Sequence, residues 1–223
     1  MPVEYIPAII TASVALIAAV LAQLLNNLLT VRRDKISYYK SIHKELISKY
    51  LSSLLKNAYL YNRPFEETNL PFSSLQDTII EMEKDLQHFN STLQVNYSYY
   101  SVNRFLDGAN RNVEMRLEFE IAFYFILYAK EVFKRAKIKT DDDFLTQLDH
   151  IANRYAYLAI GTEIQGYATT KDNLIALNQF FLNTLDDYTL DYYEDIIGDY
   201  YGYNGEALVS KVNSEIQRYL NGE

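Results

Sequence analysis

The chain has 223 residues and a formal net charge of −8 at pH 7, a length that accommodates one or two structural units. Hydrophobic residues make up 49% of it and charged residues 22%, a balance typical of a protein with a folded core. There is no cysteine, which excludes a disulfide framework, a thiolate zinc site and a cysteine nucleophile. The acidic balance argues against a general nucleic-acid-binding surface, and we expect no direct binding of nucleic acid.

The N-terminal segment is strongly apolar. Residues 6–25 (IPAIITASVALIAAVLAQLL) carry no charge, and as a helix they would measure about 30 Å, the thickness of a bilayer's hydrocarbon core. A signal peptide would begin with basic residues, whereas only Glu4 precedes this segment. A buried helix of a soluble protein would be shorter and would carry a polar face. We therefore predict a single transmembrane helix within residues 1–31 and a second unit over residues 32–223.

Basic residues follow the apolar segment directly. Arg32, Arg33 and Lys35 form a juxtamembrane cluster, whereas the N-terminal side offers only the α-amino group. Cytoplasmic flanks of membrane spans are enriched in Lys and Arg. The sequence therefore predicts an N-terminus outside the membrane and a cytoplasmic domain over residues 32–223.

Small residues form a stripe along one side of the predicted span. The stripe consists of Ala8, Ala12, Ala15, Ala19 and Ala22, and the amides Gln23, Asn26 and Asn27 follow it. Small residues let transmembrane helices approach closely, so this face is typical of an interface with another chain. Amides near the hydrocarbon edge need a partner or water. They could line the mouth of a pore, bond a neighbouring helix or lie among headgroups, and alanine is in any case common in spans.

The helical pattern continues beyond the span. Residues 34–62 have no Gly or Pro and show apolar spacings of three and four, which predicts one rod of more than 50 residues. After a loop through Pro71, Ser73 or Ser74 is expected to cap a helix over residues 75–93.

The rest of the chain is also predicted to be helical. A region over residues 99–137, with a break at Gly108, contains the apolar run 121–129, which is too short to span a membrane and is expected to form the core. Thr140 and the acids 141–143 should cap a helix ending near residue 160. Further helices are expected over 172–188 and 204–220, so the predicted fold is all-α, with the span continuous with a cytoplasmic helical bundle.

Motifs for catalysis or cofactor binding are missing from the sequence. There is no Walker A loop, GxGxxG or GxSxG, and no His has another His at helical ligand spacing. We therefore predict no metal site, no cofactor and no enzymatic activity. One possible polar site is His150, Asn153 and Arg154, whose i, i+3, i+4 spacing puts them on one helix face; the alternative is a solvated face or interhelical hydrogen bonding.

Residues 186–206 are acidic. They contain seven Asp and Glu residues and no Lys or Arg, without the spacing of a calcium-binding EF-hand loop. Such a stretch is suited to docking a basic protein partner. Otherwise it is an acidic surface that stays away from anionic lipid.

The order of these features resembles a known family. An uncharged N-terminal helix, Arg32 and Arg33, and a long helix leading to a Leu/Tyr-rich segment (KYLSSLLKNAYLYN) are similar to small single-span proteins of bacterial antiphage loci, in particular the accessory membrane protein of type VI-B CRISPR systems. The resemblance covers about the first 60 residues. It implies a homo-oligomeric pore that perturbs the bacterial inner membrane once its defence system is triggered.

That family also has a divergent HEPN-like motif of an Arg followed closely by a His. Here Arg33 precedes His43 by ten positions and Arg135 precedes His150 by fifteen, so no nuclease residue is carried over. The leading hypothesis is a non-enzymatic membrane effector of antiphage defence. The alternatives are a membrane-tethered recruitment module with an acidic docking surface and a HEPN-like helical ribonuclease.

Overall fold

The computed structural model describes residues 6–60, 74–106 and 111–165, together with position 221. Within these residues the chain is helical and has no strand, which confirms the predicted all-α class. The elements are α1 (Ile6–Ile42), a π-helical turn (His43–Ile47), α2 (Ser48–Leu60), α3 (Leu75–Met82), a 3-10 turn (Glu83–His88), α4 (Ser91–Phe105), α5 (Arg111–Ala136) and α6 (Asp142–Gln165). The predicted break at Gly108 and the predicted helices 172–188 and 204–220 lie outside the described residues.

Helical backbone runs without interruption from Ile6 to Leu60, and its second half packs against the core. The π-turn was not predicted. It widens the helix locally by one residue per turn, and both Leu46 and Ile47 are fully buried there. Regular spacing from Ile47 then buries Leu54 and Ala58, whereas Tyr59, next to Ala58, is exposed.

The middle of α5 forms the centre of the core, as predicted. Within the run 121–129, Tyr124 and Leu127 are partly exposed and all the other residues are buried. α5 packs along α6 and also contacts α1, α3 and α4. Because its partners surround it, a helix with apolar residues on most sides is stable here without a membrane.

The directions of the helices follow from their cross-contacts. The Phe133 ring lies 5.3 Å from the His43 ring, and the guanidinium of Arg135 lies 5.1 Å from the centre of the Tyr39 ring. Residue numbers therefore rise along α5 where they fall along the long helix Ile6–Leu60 (the rod), so α5 runs antiparallel to the rod. These two contacts place the C-terminal end of α5 beside the part of α1 that follows the apolar segment. On α6, the Tyr155 hydroxyl donates to the Leu54 carbonyl of α2 at 2.6 Å.

The predicted helix over residues 75–93 is wrong at its C-terminal end. Ser74 does cap α3, in a capping box with Asp77, but α3 ends at Met82 and a 3-10 turn follows. Asn90 then has an extended backbone and accepts the Leu93 N–H at 2.9 Å, which begins α4. Asn is among the preferred N-cap residues. The three- and four-residue spacing of apolar residues continues across Asn90, so spacing alone does not indicate that one helix ends and another begins there.

The N-terminus of α6 is capped as the acidic sequence predicts. The Asp143 N–H donates to the Asp141 side chain at 3.2 Å, so Asp141, not Thr140, provides the cap. The helix extends to Gln165, beyond the expected end near residue 160. The predicted region 99–137 likewise divides, because its first residues belong to α4.

A polar cluster attaches the 3-10 turn to the rod. The Asp85 carboxylate accepts Lys49 Nζ at 2.8 Å and the Tyr50 hydroxyl at 2.6 Å. Burial alone would raise the pKa of Asp85, but these two donors outweigh burial and hold that pKa below its usual value of 3.8. Burial and the nearby Asp85 charge raise the pKa of Tyr50 to about 12, so its hydroxyl stays a donor at neutral pH.

Replacing the cap of α4 should destabilise the fold. Asn90→Ala leaves the Leu93 N–H without its acceptor, and we expect the free energy of unfolding to fall by about 1 kcal/mol. Urea unfolding in detergent, followed by circular dichroism, measures the change. Ser91→Ala, one position into the same helix at an exposed site, is the control; an equal loss in both variants would contradict the assignment of the cap.

The Asp85 cluster predicts a dependence of stability on pH. Because the folded pKa lies below the unfolded one, the carboxylate stabilises the fold above the unfolded pKa, and this contribution is lost as pH falls through the folded pKa. Asp85→Asn should therefore be about 1 kcal/mol less stable than the natural chain at neutral pH. The difference should shrink in acid, as pH falls below the ordinary aspartate pKa of 3.8 and through the lower pKa of folded Asp85. Glu45→Gln, which removes an exposed ion-pair partner of Lys44, should change stability by less than about 0.5 kcal/mol; a difference for Asp85→Asn that is independent of pH would refute the cluster's role.

Candidate functional site

The apolar half of α1 is exposed. All side chains from Ser13 to Leu29 are exposed, and Leu16 and Leu28 each retain 67% of their accessible surface. Within the described part of the chain, one helix is long and apolar enough to cross a membrane, and it contains this segment. Continuous apolar surface of this extent on a soluble protein marks contact with a membrane or another protein. This segment is the principal candidate functional site.

The predicted stripe of small residues lies on this exposed segment. Ala15, Ala19 and Ala22 are exposed, as are the amides Gln23, Asn26 and Asn27. Ala8 and Ala12 belong to α1 by backbone, but their side chains lie outside the described residues. At 100° per residue, the alanine positions and Asn26 fall on one side of α1, which we call the alanine face, whereas Asn27 falls about 120° from Ala15.

The alanine face is turned away from the folded part of the chain, here termed the helical body (residues 36–60, 74–106 and 111–165). α1 has no break between Ile6 and Ile42, so its phase can be followed along its length. Ala15 and the fully buried Ile42 lie 27 residues apart, about 7.5 turns at 3.6 residues per turn, and thus on opposite sides. Ala19 and Tyr39, which contacts α5 through Arg135, are about 160° apart by the same arithmetic.

The predicted basic cluster extends across two helices. Arg32, Arg33 and Lys35 are exposed on α1. Arg32 and Lys35 line a groove of about 380 Å³ together with Arg135 and Lys137, from the end of α5 and the turn after it. Sequence analysis missed the second pair because about 100 residues separate it from the first. The run of Lys and Arg at 134–139 was the only signal for it.

The possible polar site at His150, Asn153 and Arg154 is divided by the packing of α6. His150 is exposed, whereas Asn153 and Arg154 are each 5% exposed. The interpretation as a solvated face is therefore wrong for two of the three residues. Burial lowers the pKa of Arg154 to about 10. Of the three side chains, only that of His150 is exposed to solvent, and a shared role for them stays a prediction.

Metal ligands are not gathered in the described ranges. Among residues 6–60, 74–106 and 111–165, no group of three or more His, Asp or Glu residues could hold a metal ion. His43 is instead half-buried beside Phe133. The acidic stretch 186–206, the predicted docking surface, lies outside the described residues.

Two glutamates preceding the core run of α5 are buried, which the sequence pattern did not predict. Glu118 is 2% exposed and accepts Arg111 Nη1 at 2.9 Å. Burial raises the pKa of Glu118, and the attraction of Arg111 offsets part of that rise. Glu120 pairs with Arg116 at 3.8 Å, beside a cavity of about 630 Å³ between α4 and α5. Long charged side chains with partners one or two turns away can be accommodated beside the core.

Comparison with protein-family models, with curated proteins and with solved structures finds no match. Function must therefore be inferred from the chain's own geometry. The decisive feature is an exposed apolar helix that ends in a basic groove and has its small residues on the side away from the helical body.

The environment of the apolar segment can be probed directly, because the chain has no cysteine. A polarity-sensitive dye on Leu16→Cys should shift to shorter emission wavelengths when the protein is reconstituted in liposomes, since the bilayer core excludes water. A lipid-borne quencher should quench it, and aqueous iodide should not. The same dye on Lys56→Cys, at an exposed position of α2, is the control. Equal iodide quenching at both sites would show that residue 16 does not enter the bilayer.

Proposed function

We propose that this chain is a single-span effector of the bacterial inner membrane whose N-terminal helices assemble and perturb the bilayer. The observation that carries the proposal is the exposed apolar segment of α1 with its alanine face. In this arrangement residues 1–31 cross the membrane and residues 32–223 lie in the cytoplasm, with the N-terminus outside. Arg32, Arg33 and Lys35 support that orientation, because basic residues remain on the cytoplasmic side. A role in antiphage defence, once a trigger is sensed, is suggested by the resemblance to the accessory membrane protein of type VI-B CRISPR systems.

Assembly through the alanine face is sterically compatible with the position of the helical body. Spans that meet through small residues bring their backbones close together, which would make bulky cytoplasmic domains collide if they lay on the same side. Here Ala15 and Ile42 lie on opposite sides of α1 (27 residues apart). Neighbouring spans can therefore touch while their helical bodies point outward.

The amides after the alanine face support a pore rather than a dry cluster of helices. Gln23, Asn26 and Asn27 are exposed and lie at the cytoplasmic end of the apolar segment. In an assembly through the alanine face, Asn26 falls on the same side as Ala8, Ala15 and Ala22 and would line the central axis. Amides there find water, which removes the cost of placing them in hydrocarbon.

The helical body is proposed to act as a cytoplasmic bundle continuous with the span. The uninterrupted helix from Ile6 to Leu60 supports this, because it would carry a change in the bundle into the membrane segment. The bundle would thereby hold the assembly together and respond to the trigger.

A membrane-tethered recruitment module is the second candidate. The acidic composition of residues 186–206, without Lys or Arg, favours it, since such a surface attracts a basic protein partner. In this case α1 only anchors the chain, and the alanine face has no specific role.

Bulk on the alanine face should abolish assembly if the pore proposal is right. Ala15→Leu with Ala19→Leu prevents close approach of spans without removing apolar length. We expect the mass of the detergent-solubilised protein, measured by light scattering with the detergent subtracted, to fall from an oligomer to a monomer. We also expect dye leakage from liposomes to fall at least about tenfold, as for loss of about 1.4 kcal/mol of association.

Ser13→Leu with Val20→Leu provides the matched control. These positions add bulk at a similar depth on the opposite side of the helix, and both are exposed. The control should retain the oligomeric mass and the leakage. A natural chain that is monomeric and does not leak, or identical behaviour of the two variants, would exclude the assembled pore and leave the tether.

A further inference from the structure

The groove between α1 and the end of α5 combines apolar and cationic walls. Leu28, Val31 and Ile36 form its apolar part, and Arg32, Lys35, Arg135 and Lys137 contribute the cations. Leu28 and Val31 belong to the last uncharged turns of α1, and Arg32 is the first basic residue after them. The groove therefore lies where the uncharged part of α1 gives way to its first basic residues.

The cations in the groove are poorly compensated. No carboxylate lines it, and within the described ranges no ion pair involves Arg32, Lys35 or Lys137. Arg135 is the exception, because it pairs with Glu131 at 2.6 Å and donates to the Tyr39 hydroxyl. Like charges converging on one groove create a positive potential that an anion relieves.

The backbone at Lys137 provides an independent sign of function. Its φ is +54°, in the left-handed region, and the Ile138 N–H donates to the Phe133 carbonyl at 3.0 Å. This is the geometry of a helix C-cap, where glycine is the usual residue because it has no Cβ to clash. The left-handed conformation costs a lysine more than a glycine, and this lysine lines the groove. Strain of this kind is concentrated at functional sites.

We infer that this groove binds the phosphate headgroup of an acidic phospholipid, with an acyl chain along Leu28 and Val31. The inference rests on the proposed function, because only a chain inserted through α1 brings the groove to headgroup level. Arg and Lys bind phosphate through charge-assisted hydrogen bonds, and basic pockets on the cytoplasmic side of spans are typical sites for anionic headgroups. A soluble phosphate compound would leave the apolar wall uncovered.

The position of the groove on α1 agrees with a lipid ligand. Lys35 lies about 160° around α1 from Ala15, on the side that faces the helical body, and Arg32 lies about 100° from Ala15, at the edge of that side. In the proposed assembly this side faces surrounding lipid. Lipid can therefore reach the groove without entering the interface between spans.

The test compares lipid retention by the full-length protein and two triple variants. The protein is reconstituted in nanodiscs of equal phosphatidylglycerol and phosphatidylcholine, extracted in mild detergent, and examined by native mass spectrometry for bound lipid. We expect the natural chain to retain phosphatidylglycerol at least about tenfold over phosphatidylcholine, as expected for several basic residues near an anionic headgroup. Arg32→Gln, Lys35→Gln and Lys137→Gly together should remove this preference. Lys44→Gln, Lys56→Gln and Lys84→Gln, which remove the same charge at exposed sites outside the groove, should preserve it.

A single variant separates lipid binding from folding. Lys137→Gly relieves the left-handed strain, so it should raise the melting temperature in phosphatidylcholine while lowering the retention of phosphatidylglycerol. Loss of retention in a more stable protein cannot be attributed to unfolding. Unchanged retention in both Lys137→Gly and the groove triple variant would overturn the proposed site.

Two further measurements distinguish a lipid ligand from a soluble anion, and a failure of the groove proposal from a failure of the membrane-span proposal. Inorganic phosphate at millimolar concentration should not displace the retained lipid; complete displacement would assign the groove to soluble anions instead. Alkaline extraction from phosphatidylcholine liposomes tests insertion without acidic lipid. A chain that resists extraction but shows no lipid preference overturns only the groove, whereas a chain that alkali removes overturns the membrane-span proposal itself.

Discussion

The central turns of α5 have apolar side chains on nearly every side, and the arrangement of the helical body depends on covering them. Phe119, Phe123 and Phe125 are fully buried, and at roughly 1.5–3 kcal/mol for each large side chain their burial favours any arrangement that surrounds this helix. α6, α4 and the rod provide the cover. α1 differs because its first half receives no cover from the described part of the protein. The same chain therefore presents one apolar helix inside a protein core and another on the outside.

The sequence predicts the parts of this structure that depend on local signals. The cap at Ser74, the acidic start of α6 and the core position of residues 121–129 follow from residue type and spacing. The interruption at Asn90 was missed because apolar spacing continued across it, although the cap residue itself was visible. The π-turn at His43–Ile47 buries the adjacent residues Leu46 and Ile47. The three- and four-residue spacing of apolar residues does not indicate such a turn.

The candidate site likewise has one part that the sequence predicts and another part that depends on the tertiary fold. Exposure of the alanine face follows from the length and composition of one helix, and the sequence indicated it. The cationic groove needs Arg135 and Lys137 beside Arg32 and Lys35, and the antiparallel course of α5 that brings them together is a property of the tertiary fold. Asn153 and Arg154 differ from the exposed His150 on the same helix because they are buried, and the spacing of the three residues did not indicate that difference.

The unbroken course of α1 has a mechanical consequence. A helix with an intact hydrogen-bond ladder from Ile6 to Ile42 resists twisting, so turning the helical body about the rod axis would turn the alanine face by nearly the same angle. At 100° per residue, a quarter turn brings each side chain to about the direction that its neighbour in the sequence had before. The wider π-turn lies where α1 enters the core of the helical body, so a twist applied to the body acts on α1 through this turn.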